Sequence, residues 1–103
     1  MLETVNLLYC EDNAISAIYV LTVRYHREDD KWLGECLELG TATFADTVEE
    51  VRQELNEAIA LQVNDMDQLG FAREYLADHG VQALPITESL LTSKGYVTVG
   101  ATA

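Results

Sequence analysis

The chain is 103 residues long, with 18 acidic and 6 basic side chains, a formal net charge of −12 and an isoelectric point near 4.2. That length supports one domain with one modest core, and an apolar content of 49% with mean hydropathy near zero describes a globular, soluble chain, not a disordered one. So negative a balance argues against direct nucleic-acid binding, which needs clustered Lys and Arg against phosphate.

No apolar run reaches the roughly 18–20 residues of a membrane helix, and no basic-then-apolar leader opens the chain. The two cysteines, Cys10 and Cys36, make no disulfide framework, so the expected setting is the reducing cytoplasm. The charge is uneven. Twelve acidic and two basic residues between Glu28 and Asp67 carry −10 of the −12. The natural counterpart of such a surface is a basic partner.

Residues 1–14 read as an N-terminal extension, with Leu2, Val5 and Leu8 at helical spacing and a turn over residues 10–13. From residue 15 to 27 the pattern is a strand, with Tyr19, Leu21, Val23 and Tyr25 on one face and Thr22, Arg24 and His26 on the other. Glu28, Asp29 and Asp30 form a polar turn, and residues 31–39 return as the second strand of a hairpin. In that strand Leu33, Leu37 and Leu39 share one face, with Trp32 and Cys36 on the opposite one. Gly40 breaks the run, and residues 41–45 make a short third strand.

A helix begins next. Asp46 or Thr47 is placed to cap it, and Thr47 with Glu50 has capping-box spacing. Val48, Val51, Leu55, Ile59, Val63 and Met66 form one apolar stripe, so the helix runs to about residue 65 with Glu49, Glu50, Glu54 and Glu57 outward. A shorter helix follows from about Gly70, burying Phe71, Tyr75 and Leu76 and stopping at His79-Gly80. Residues 81–86 are a candidate fourth strand, which Pro85 confines to an edge. One more β-like piece spans residues 95–100.

Catalytic chemistry has little to stand on. A metal-dependent nuclease of RNase H type needs carboxylates converging on Mg²⁺, and Glu35, Glu38 and Asp46 are the available set. Three residues apart on a strand, Glu35 and Glu38 face opposite sides, and Asp46 has a capping job. His26 and His79 lack partners at metal-ligand spacing. Cys36 reads as a small hydrophobe and Trp32 as a cover for the core. The residues call for no catalytic group, metal or cofactor.

The run Tyr19-Val-Leu-Thr-Val, the turn 28–30, the strand Trp32-Leu-Gly-Glu-Cys-Leu-Glu-Leu-Gly and the helix start Ala45-Asp-Thr-Val-Glu-Glu together resemble the HicB-like antitoxin family. The match is best over residues 15–65 and looser over 66–86; Ala45 stands where the family usually has glycine. The resemblance implies an α+β fold like a truncated RNase H domain, β-β-β-α-β. Its three- to four-stranded, mainly antiparallel sheet would carry one long helix on one face, with a short second helix added. The domain would span residues 15–86, followed by a tail at 87–103. It also implies a protein, often dimeric, that sequesters a small basic mRNA-cleaving toxin of HicA type. Full-length members add a C-terminal DNA-binding domain, for which the seventeen residues after Ile86 are too few.

The residues expected to meet such a partner are Glu28, Asp29, Asp30, Glu49, Glu50, Glu54 and Glu57. A homodimer or higher oligomer is also expected, with the strand at 95–100 adding to a neighbouring sheet edge. The alternatives are the metal-dependent nuclease and a homo-oligomeric protein of unknown role. No membrane partner is expected.

Overall fold

The computed structural model describes residues 2–11, 14–84 and 96–99. Strands β1 (Leu2–Glu11) and β2 (Ala14–Glu28) form a long antiparallel pair running from Leu2↔Arg24 to Glu11↔Ala14. Along its other edge β2 holds two short strands end to end: β3 (Lys31–Cys36) beside Val23–Glu28, and β5 (Gln82–Leu84) beside Ile18–Val20. Strand β4 (Thr41–Ala45) pairs antiparallel with β3, and β6 (Tyr96–Val99) pairs parallel with β1. The sheet order is β4-β3-β2-β1-β6, with β5 off the path against β2. Helix α1 (Val48–Gln68) packs on one face, and α2 (Ala72–Asp78) follows it.

This is the α+β fold expected: a mainly antiparallel sheet with one long and one short helix. It has more strands than three or four, because both ends of the chain contribute one. The helical spacing of Leu2, Val5 and Leu8 is not what forms. Val5, Leu7 and Tyr9 alternate onto the face under α1, while Leu8, also buried, pairs with buried Ile18 outside that cluster. A strand apolar on both faces blurs its period of two, and here it imitates a helix. The turn read at residues 10–13 lies partly outside the described residues. So does part of the strand read over residues 81–86. The tail strand takes the outer edge of β1 in its own chain.

The core forms where the two periodicities meet. Val51, Leu55, Ile59, Val63 and Met66 of α1 cover Tyr19, Leu21, Val23 and Tyr25 of β2. Each such side chain withdrawn from water contributes about 1.5–3 kcal/mol before chain entropy is set against it. On β3, Trp32 and Cys36 join this core while Leu33 lies on the other face; Leu37, past the strand end, is exposed, and Leu39 turns back into the core. Both helices stop at a left-handed glycine. Gly70 and Gly80 donate to the carbonyls of Asp67 and Ala77, and the next residues, Phe71 and Val81, to those of Met66 and Leu76. This double bond pattern satisfies carbonyls that a helix end leaves open. Ala72 and Leu76 are the buried residues of α2, and Phe71 is largely outside it.

Candidate functional site: an acidic end built around Lys31

The β2–β3 hairpin closes in two residues between Glu28 and Lys31, and Asp29 takes the left-handed conformation at φ 53°, which Asp tolerates better than most side chains. Lys31 then reaches Asp46, the residue between β4 and the start of α1, and its ammonium makes an ion pair with the Asp46 carboxylate. The pKa of Lys31 is raised, chiefly by the hydrogen bond with Asp46 and by its charge, with Asp30 and Glu50 adding to the effect. One ammonium therefore sits in the field of carboxylates from the hairpin turn, the β4–α1 junction and the first turn of α1. Glu49 lies in that same first turn.

Five of the seven predicted contact residues, Glu28, Asp29, Asp30, Glu49 and Glu50, are thus collected at one end, although nineteen or more positions separate the turn from the helix. Glu28 lies near the His26 imidazole, Nε2 to Oε1 3.2 Å. The other two extend the charge along α1. Glu54 accepts a hydrogen bond from Thr43 Oγ1 of β4 (3.2 Å), and Glu57 accepts one from Gln53 Nε2 (3.4 Å). Glu50, Glu54 and Glu57 share one helix face by the 3.6-residue period, and Glu57 lies about 10 Å along the axis from Glu50.

The helix cap itself is Thr47, whose Oγ1 accepts from the Glu50 N–H at 3.1 Å. Asp46 does not cap. Its carboxylate is turned to Lys31, which corrects the role read for it from sequence.

The three carboxylates of the nuclease reading do not converge. Glu35 accepts from Arg24 Nε at 2.7 Å on the sheet face away from α1. Glu38 lies beyond the end of β3, where its two oxygens accept from the Thr22 N–H (2.8 Å) and Thr22 Oγ1 (2.9 Å). That carboxylate fills the gap along β2 between β3 and β5, standing in for a ladder carbonyl. Among the described residues no group of three or more His, Cys, Asp and Glu is placed to hold a metal ion. Cys36 is fully buried, and burial pushes its thiol up to about 11, away from the thiolate a nucleophile requires. The His79 ring stacks on Tyr75, centroids 3.8 Å apart, and its Nδ1 lies 2.9 Å from the Tyr75 carbonyl.

A polar cluster that the sequence does not announce ties the helices to the opposite end of the sheet. The Tyr9 hydroxyl donates to Asp67 of α1, and Arg73 of α2 lies 5.1 Å from the Tyr9 ring centroid. Arg73 Nη2 donates to Ser16 Oγ (2.9 Å), which donates to the Tyr9 carbonyl (3.1 Å). Ser16 is the extra residue of a bulge, since Tyr9 faces Ala17 and Cys10 faces Ile15. Bulges carry no sequence mark of their own. Nearer the acidic end, Arg52 pairs with Glu3 (2.7 Å) and lies over the Tyr25 ring.

No family model, no curated protein and no solved structure matches this chain.

Proposed function

We propose that the protein is a non-catalytic, HicB-like antitoxin or a relative of one, which holds a small basic protein such as a HicA-type mRNA-cleaving toxin. The observation that carries this reading is the meeting of Asp46, Asp30 and Glu50 on Lys31, at the end where Glu28 and Asp29 belong to the hairpin turn and Glu49 to the first turn of α1. Acids on one exposed end steer a basic partner and reject acidic ones. Direct DNA or RNA binding finds no support in this charge distribution. Arg24, Lys31 and Arg52, three of the six basic residues, are committed to carboxylates of the chain itself. No helix among the described residues is long and apolar enough to cross a membrane, and we place the protein in the cytoplasm.

A homodimer belongs to the same proposal. The sheet face away from α1 is nearly neutral in this −12 chain, with Arg24 and Glu35 cancelling, and its β1 side carries the exposed Leu2, clear of β4. Self-association at that face avoids bringing the acids together.

The test is co-purification at low salt with any small basic protein found encoded beside this one. Recovery of a complex supports the reading. Absence of association at low salt with any neighbouring product sinks it, and Mg²⁺-dependent cleavage of RNA or DNA lost in Asp46→Asn restores the nuclease.

A further inference from the structure

Strand β4 ends the described sheet, and its residues, Thr41-Ala-Thr-Phe-Ala45, carry no charge and no proline. Edge strands in natural proteins are ordinarily protected by lysine, proline or a bulge, because a bare row of N–H and C=O groups recruits further strands. This edge has none of those in its sequence or in its register with β3.

The ladder fixes which groups are bare. A two-residue hairpin loop closes on a hydrogen-bonded pair, here Glu28 and Lys31, so alternate β3 residues from Lys31 bond to β2. The Leu37 N–H bond to the Thr22 carbonyl (2.9 Å) continues that alternation. Trp32, Gly34 and Cys36 therefore bond outward to Ala45, Thr43 and Thr41. The remaining two, Ala42 and Phe44, turn both backbone groups to the open side. Both residues are exposed, Phe44 by 58%.

What flanks this edge selects its occupant. On the α1 side Glu54 reaches Thr43, Gln62 bonds to Thr41, and Glu50 stands in the first turn of the helix. On the opposite face the side chains are apolar, Ala42 and Phe44, with Leu33 across from Phe44. A second copy paired antiparallel at this edge would set Glu54 and its neighbours against their own equivalents. A strand with Lys or Arg at alternate positions, and apolar side chains between, matches both faces at once.

We propose that the outer edge of β4 is a docking edge, at which an extended basic segment of another protein adds as a further strand of the sheet. Ala42 and Phe44 supply the backbone bonds, the carboxylates of Glu54 and Glu50 meet its basic side chains, and Phe44 with Leu33 meets its apolar ones. The proposal rests on the basic-partner reading and specifies how that partner is held.

The experiment titrates the full chain at low salt with two capped nine-residue peptides of equal charge. One alternates Lys and Val; in the other, two Val are replaced by Pro, which cannot join a ladder. The alternating peptide is expected to bind at least tenfold tighter, and to slow hydrogen exchange at the Ala42 and Phe44 amides, which exchange freely in the unbound protein. Ala42→Pro removes one open N–H and no internal bond, and it is expected to abolish the difference between the peptides while leaving the thermal midpoint nearly unchanged. The exchange measurement on the unaltered chain stands even where that variant folds poorly. Equal binding of both peptides, with Ala42 and Phe44 still exchanging freely, overturns strand addition and leaves the acidic end as a binding surface. Binding of neither peptide refutes the basic-partner reading itself. Amides protected in the unbound protein, with a dimer in sedimentation, give the edge to a second copy and also overturn the proposal.

Discussion

Gly34 is the point at which β3 passes closest beneath α1, and replacing it with alanine measures how tightly the long helix sits on the sheet. A Cβ built there would lie 3.0 Å from Tyr25 Cε1, 3.1 Å from Tyr25 Cδ1 and 3.1 Å from Val51 Cγ2. Ordinary carbon contacts begin near 3.4 Å, so the neighbours must give by a few tenths of an ångström on two sides. Neither has room to do so. Tyr25 is 2% exposed and Val51 is completely buried, each backed by the rest of the core. Overpacking of this kind costs about 1–3 kcal/mol, and removing glycine from a strand returns roughly 0.5–1 kcal/mol. The expected net loss for Gly34→Ala is about 1 kcal/mol, a fall in thermal midpoint of roughly 4–8 °C for a domain of this size. Urea unfolding followed by far-UV circular dichroism measures it. Val51→Ala removes one of the two obstacles, so the double variant should lose about 1 kcal/mol less than the two single losses added. A neutral or stabilising Gly34→Ala, or strict additivity in the double variant, refutes the close approach.

Thr47→Ala should cost about 1 kcal/mol through loss of the helix cap, whereas Asp46→Ala, which breaks only an exposed ion pair, should cost less than about 0.5 kcal/mol; reversed magnitudes in denaturant titrations would return the cap to Asp46. Glu38→Ala leaves the Thr22 N–H and hydroxyl without their carboxylate and should lose about 1–2 kcal/mol, which unfolding curves at neutral pH will show. Alkaline conditions test the buried thiol. Burial moves Cys36 from 9.0 to about 11, so in that window the unfolded chain releases a proton that the folded chain keeps. Stability must then fall as pH rises from 9 to 11, and Tyr25, raised by burial and by Glu3, extends the fall; an unfolding midpoint that stays constant over that range contradicts the assignment.

The parts of the fold legible in sequence are those where one face is buried and the other is wet. Tyr19, Leu21, Val23 and Tyr25 alternate cleanly because Arg24 and His26 between them lie on the face away from α1, and Val51, Leu55, Ile59, Val63 and Met66 recur at helical spacing for the same reason. Strand β1 hides its period because Leu8 is buried opposite the face carrying Leu7 and Tyr9. At the acidic end the sequence marks the charges but not their meeting point. In sequence Lys31 only opens the second strand of the hairpin, and the pairing of β3 with β4 brings it beside Asp46. Asp46 and Thr47 are equally good caps by residue type, and the structure decides between them through that same lysine. The sequence pattern carries the strand on through Glu38, whereas β3 ends at Cys36, so the role of Glu38 in closing the β2 ladder depends on where β3 stops.

On the proposed function, the end built from the hairpin turn and the start of α1 holds a basic protein. Calorimetric titration of the chain with any small basic protein found encoded beside it measures this most directly, at low salt and at roughly physiological ionic strength, where charges more than about 8 Å apart are screened. The same titration is repeated with Asp30→Asn, Glu49→Gln and Glu50→Gln combined. Binding that weakens about tenfold with salt, and about tenfold again in the neutralised variant at low salt, is the predicted result. Binding unmoved by the three substitutions, or no binding at low salt, contradicts it.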